Sequence, residues 1–168
     1  MKPIKLHWAL GMLLWFPPVL FASELAQNAS IRPIEVTADR LHAESDGHSV
    51  TFEGHVIAKQ GDVTMHSDRL YAEHSKKAGT IERIEAEGNV RFLQEGKEIK
   101  AAKATLFNLE QRVVFSGGTV MQHGSNIIHG ETITVYLNEN RAVVNGSEGG
   151  GRVRAVINPK EIREVQKP

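Results

Sequence analysis

The chain of 168 residues has no cysteine, so disulfides are excluded and packing and backbone pairing must hold it together. Neither sign of charge is in excess, with 20 Lys and Arg against 20 Asp and Glu. This excludes recognition of nucleic acid by bulk charge and a polybasic address for a membrane surface. Past the N-terminus there is no long apolar run, and no stretch keeps the spacing of an amphipathic helix. Residues 68–77 come nearest to one, yet they align with strand-like segments at 39–48 and 131–140. Phenylalanine is scarce, at six residues.

Catalytic and metal-binding constellations are also missing. His42, His48 and His55 are six and seven residues apart, a spacing that does not converge on one metal from extended strands. They read as turn or polar-face residues, as do His66, His74, His123 and His129. Asp39, Asp68 and Glu131 recur about 30 residues apart in equivalent positions, which suits the capping of corners better than acid–base work. No helix pattern follows Gly149-Gly150-Gly151, so it is a flexible or bulged link and not a phosphate loop. The reading is of a protein without catalytic residues, metal or cofactor.

The N-terminus stands apart. Lys2 and Lys5 precede the apolar run Trp8 to Phe16, then Pro17-Pro18 and the small residues Ala22 and Ser23. Residues 1–22 thus read as a signal peptide cut near Ala22 or Ser23, too short and too broken by proline to span a membrane comfortably. Residues 23–32 read as a polar lead-in, 33–157 as one domain and 158–168 as a flexible tail.

What is present is a repeat. Apolar-x-apolar-x-Gly occurs at Val50–Gly54, Ile84–Gly88, Val113–Gly117 and Ala142–Gly146, with glycines 34, 29 and 29 residues apart. A second pattern ends on a small residue: Val36-Thr37-Ala38-Asp39, Met65-His66-Ser67-Asp68, Ile99-Lys100-Ala101-Ala102 and Ile128-His129-Gly130-Glu131. Two patterns in step imply one supersecondary unit stacked four times. The residues between alternate apolar and polar with period two, as in Ile133, Val135 and Leu137 against Thr132, Thr134 and Tyr136. Turn residues separate them at Asp46-Gly47, Gly61-Asp62, Glu95-Gly96, His123-Gly124 and Asn138-Glu139-Asn140. Glycine inside strand-like runs marks bends, and Ala38, Ser67, Ala101 and Gly130 mark the opposite side of each corner. After the glycine run, Arg152–Ile157 reads as a final strand.

The expected fold is all-β: bent strands forming two facing layers, with Glu35, His55, Lys59, His66, Glu85, Arg91, Lys100 and Thr134 outside. The apolar inner faces either close on each other as core or stay splayed as a slot. Phe52, Phe92 and Phe115 are best placed to line a slot, and small inner residues such as Ser67 and Ala86 leave volume within it.

The segments Pro33–Asp39, Val50–Val56, Gly88–Phe92 and Ser125–Glu131, in this order and behind a leader, resemble the LptA family of periplasmic lipopolysaccharide-transport proteins, the OstA-like group. The resemblance covers Pro33–Ile157. It implies an open twisted β-jellyroll of two antiparallel sheets in a V, whose apolar groove carries the lipid A acyl chains of lipopolysaccharide across the periplasm. On this reading Ile34 and Val36 lie on the N-terminal edge at the groove mouth, with Phe52, Val56, Met65 and Ile84 following. Val90, Phe92, Leu106, Phe115, Ile133 and Val135 line its farther part. The implied partners are lipopolysaccharide, an inner-membrane LptC-like protein at the N-terminal edge, an outer-membrane LptD-like protein at the C-terminal edge, and further copies head to tail. One departure is Glu148, which stands where Val56, Val90 or Thr119 follows the earlier glycines. Two alternatives remain: a membrane-anchored LptC-like partner of the same fold, and a β-solenoid enzyme acting on polysaccharide.

Overall fold

The computed structural model of the protein describes residues 33–44, 47–75, 80–139 and 141–159. All lie in Pro33–Pro168, one of the two units into which the chain divides. The leader, the lead-in as far as residue 32 and the tail from residue 160 fall outside the described residues.

Ten strands follow in sequence: β1 (Glu35–Thr37), β2 (Arg40–Ala43), β3 (Ser49–Gln60), β4 (Val63–His74), β5 (Ile81–Gln94), β6 (Lys97–Phe107), β7 (Arg112–His123), β8 (Asn126–Tyr136), β9 (Arg141–Asn145) and β10 (Arg154–Val156). They make one open antiparallel sheet in which β3 to β8 pair in chain order. β1 and β2 pair with the two halves of β3, and β10 and β9 with the two halves of β8. The two layers expected from the sequence are therefore two halves of one sheet, folded across its middle. Residues 68–74 belong to β4 and are strand.

The fold line is where the two sequence patterns meet. Every pairing from β3 to β8 loses register there: between Glu53 and Val56, His66 and Arg69, Glu87 and Val90, Lys100 and Lys103, and Ser116 and Thr119. The glycine side enters the left-handed region in pairs, Gly54-His55 (φ 80° and 46°), Gly88-Asn89 (76° and 46°) and Gly117-Gly118 (84° and 71°). The opposite strand comes so close that a Cβ on Gly54 or Gly88 would overlap the Asp39 or Asp68 carboxylate. The small residues of the second pattern mark tight corners; Ser67 is buried, and a Cβ on Gly130 would overlap Val144. The last corner is different. Between β9 and β10 the residues 146–153 form a loop, with Gly151 N–H donating to Ser147 O at 3.1 Å, where Glu148 interrupts the pattern.

Antiparallel register lines the inward residues into cross-strand rows. In the first layer Leu41, Phe52, Leu70, Ala86, Ala104, Phe115, Ile133 and Val144 oppose one another in turn. In the second layer the row is Val36, Ala58, Met65, Phe92, Ile99, Met121, Ile128 and Ala155. The rows meet in two clusters. One gathers Ala86, Val90, Ile99, Ala104, Phe115 and Ile133; the other gathers Val56, Ala58, Leu70 and Ala72. Phe92 and Phe115, from opposite layers, pack edge to face with centroids 5.6 Å apart.

The outward rows carry charge. Arg69 bridges Glu53 (3.9 Å) and Glu87 (3.4 Å), Lys103 bridges Glu87 and Glu85 (both 3.1 Å), and Arg83 bridges Glu85 (2.8 Å) and Glu73 (3.1 Å). The Lys103 ammonium draws the Glu87 carboxyl below the usual range. This ladder spans four strands and keeps the outer face of the first layer solvated.

Candidate lipid-binding slot

The twelve residues expected to line the groove divide by burial and by half of the molecule. Val56, Val90, Phe115 and Ile133 are each at most 1% exposed. Val36, Phe52, Met65, Ile84, Phe92, Leu106 and Val135 are half-buried, and Ile34 is exposed at the start of the N-terminal edge. Val36, Phe52, Val56, Met65 and Ile84 pack together in the N-terminal half of the interior. Val90, Phe92, Phe115, Ile133 and Val135 gather in the C-terminal half, again with Met65.

In that second half the layers part. A cavity of about 460 Å³ opens between them. Its walls are Phe92, Ile99 and Met121 from the second layer and Val113, Phe115 and Val135 from the first. Only Phe92, Phe115 and Val135 come from the twelve; Phe52 belongs to the N-terminal half. The other wall residues share the inward rows, so alternation alone would have found them.

Sequence reasoning missed the rim. Gln94, Glu95 and Lys97 edge the cavity at the turn between β5 and β6, and Tyr136, Leu137 and Arg141 edge it on the facing side. The Arg141 guanidinium lies 3.9 Å from the Tyr136 ring centroid and 2.7 Å from Glu139. The signal was available: Gln94 and Lys97 stand two residues beyond the inward Phe92 and before the inward Ile99, so they share that face. Turns hid it, being read as punctuation.

The acids of the second pattern act at corners. His55 Nδ1 lies 2.8 Å from Asp39 Oδ2, and Asn89 Nδ2 donates to Asp68 Oδ2 at 2.8 Å. The Asp39 carboxylate raises the pKa of the His55 imidazole above the ordinary histidine value. At the third corner Ala102 faces Gly117-Gly118, so neither clamping side chain is present. Glu131 takes up the equivalent position in β8.

Among the described residues no three or more His, Asp or Glu are placed to hold a metal ion. What the cavity offers is apolar surface with an open mouth.

The model of the family described as LptA/(LptD N-terminal domain) LPS transport protein matches residues 35–141, more than half of the chain. The chain belongs to this family. Curated relatives within it include the lipopolysaccharide export system protein LptA of Escherichia coli K12 and that of Shigella flexneri. Each is 27% identical over 139 residues, covering 79% of this chain and 75% of the relative. Among solved structures, LptH of Pseudomonas aeruginosa, described as the LptA-homologous periplasmic component of the lipopolysaccharide transport device, superposes with a TM-score of 0.67. It is 18% identical and covers 76% of this chain and 96% of LptH, a likeness of fold. The LptA family favours neither alternative, the anchored partner or the polysaccharide enzyme.

Proposed function

We propose that this chain carries lipopolysaccharide through the periplasm, holding its acyl chains between the two layers and joining like folds edge to edge into a bridge. The observation that carries this is the apolar-walled cavity open at the mouth of a folded, unclosed sheet. A methylene withdrawn from water contributes about 0.8 kcal/mol, so several acyl chains cannot cross an aqueous gap bare. Phe92, Met121, Phe115 and Val135 are the wall against which those chains lie. Val36, Phe52, Val56 and Ile84 become wall only if the N-terminal half parts as well, with Ile34 at the entrance.

The edges support the bridge. β3 to β8 alternate in direction, so β10 runs opposite to β1, and β9 opposite to β2. A second copy set β1 against β10 and β2 against β9 therefore continues the antiparallel alternation in both layers. Exposed apolar side chains sit on both edges: Leu41 at one, Val153, Val156 and Ile157 at the other. The C-terminal edge carries Arg152 and Arg154, and the N-terminal edge Glu35, Asp39 and Glu44. We place an LptC-like fold at the N-terminal edge and an LptD-like fold at the C-terminal edge, with copies of this chain between. The leader at 1–22 supplies export, and the domain proper is 33–157.

The test is photocrosslinking with a reactive side chain at Phe92 or Met121, inside, and at Lys100, outside. Labelling of lipopolysaccharide from the inner sites alone is expected. Labelling from Lys100 with silence from both inner sites overturns the slot.

A further inference from the structure

The cavity has a chemically two-part outline: apolar walls and a charged rim. Along the inward lip of the second layer, Gln94, Lys97, His123 and Asn126 form a cross-strand row. Each stands two residues from an inward apolar neighbour, Phe92, Ile99, Met121 or Ile128, so all four face the interior side. Two cations edge the cavity itself, and they differ. Arg141 is committed to Glu139 and stacked on Tyr136. Lys97 has no acid within ion-pair distance among the described residues, whereas Lys100 and Lys103, further along the same strand, are both paired. Among the described residues that line the cavity Glu95, at the tip of the same turn, is the one acid, and it makes no ion pair; beyond the rim, Asp62 accepts from Gln94 at 3.2 Å. An uncommitted ammonium at the mouth of an apolar slot is suited to an anion attached to hydrocarbon: chains inward, charge at the lip. Lysine serves such a group as a point charge, without the fixed fork an arginine would impose.

We infer that the mouth of the cavity is a subsite for the phosphate head of an amphiphile, with Lys97 as its charge contact. This rests on the slot reading above and adds a head-group preference to it. The shared chemistry is phosphate, whether on a lipid or free in solution, and the cavity behind Lys97 favours the lipid.

Two probes with the same twelve-carbon chain separate the cases: dodecyl phosphate and dodecyl maltoside, each below its micelle concentration, titrated into the full mature chain. At low salt the wild type is expected to hold the phosphate about three- to fivefold more tightly, the range of one exposed charge pair. Salt near about 1 M should erase the difference. Lys97→Gln should bring the ratio to about one while leaving the maltoside affinity unchanged, and Lys97→Arg should restore it. Glu95→Gln should raise it. Equal affinity of the wild type for both probes, or a ratio undiminished in Lys97→Gln, overturns the inference and leaves the slot standing. Binding of neither probe overturns the slot itself. Displacement of dodecyl phosphate by inorganic phosphate at comparable concentration would assign Lys97 to free phosphate and overturn the lipid head.

Discussion

Phe92 and Phe115 touch each other, yet substitution should affect them differently. Phe115 is 1% exposed within the larger cluster. A carboxylate there strands a charge in apolar surroundings, at a cost comparable to the whole stability of a domain. Phe115→Asp is therefore expected to yield no folded protein, and Phe115→Ala to lose about 3–5 kcal/mol in denaturant titration. Phe92 is half-buried and faces the cavity. Phe92→Asp should keep the strand spectrum in circular dichroism and lose lipopolysaccharide binding by more than about tenfold; unchanged binding by that folded variant would remove Phe92 from the wall. His55 offers a gentler test at a corner. Its pKa is raised, chiefly by the hydrogen bond to Asp39, then by the Asp39 charge and more weakly by Asp68. A raised histidine pKa means that the pair contributes its full stability below pH 6.5 and loses it as pH climbs through the folded-state value. Comparison of wild type with His55→Gln should show the larger gap in melting temperature on the acid side. In an NMR titration Asp39→Asn should bring the His55 midpoint back toward 6.5, and an unmoved midpoint would show that Asp39 is not the cause.

At the scale of strands, the corner is the element that makes this fold, and it is graded along the sheet. The first corner is clamped by Asp39 and His55, the second by Asp68 and Asn89, and the third, Ala102 against Gly117-Gly118, by neither. The cavity lies on the side of that third corner. Ala102→Asp with Gly118→Asn should install the missing clamp, since asparagine tolerates the left-handed conformation. The double variant is expected to gain about 0.5–1.5 kcal/mol beyond the sum of the single changes. A double-mutant cycle by thermal unfolding measures this; strict additivity would mean that no clamp forms. The same corners show what was legible in the sequence. Gly54, Gly88 and Gly117 recur because each strand must bend at one height, so the repeat period reported the fold line directly. Alternation reported inward positions, among them the buried Val56, Val90, Phe115 and Ile133. Which part of the interior is filled and which stays open was not legible. Ala86 and Ala104 sit buried opposite each other while Phe92 and Met121 border empty space, and that outcome depends on how far the layers separate, a quantity no single strand encodes. The charged rim escaped because Gln94 and Lys97 flank a turn, where polar residues are expected whatever they do.

For the whole molecule, the open edges decide the behaviour. An exposed edge strand invites pairing with any other chain, and here the two edges are of unlike composition and run in opposite directions. Pairing between them would be heterologous, and a row of copies joined in this way carries a free edge at each end unless its rotation closes a ring. Two variants separate this from ordinary aggregation. Val36→Pro removes a backbone donor from β1 and disrupts the N-terminal edge, while Ala155→Pro does the same in β10 at the other. Each variant alone has one blocked edge and is expected to run as a monomer in size-exclusion chromatography, at concentrations where the proposed joint predicts that the wild type elongates. Mixed, the free C-terminal edge of the first meets the free N-terminal edge of the second, and the pair should form a 1:1 dimer that grows no further. Neutral salt should weaken that dimer, because Arg152 and Arg154 would lie beside Asp39 and Glu35 across the joint of β10 with β1. If the two variants stay monomeric when mixed, or if either associates with itself beyond a monomer, the head-to-tail joint is wrong. The slot then serves one molecule at a time, and a lipid would have to leave it between carriers.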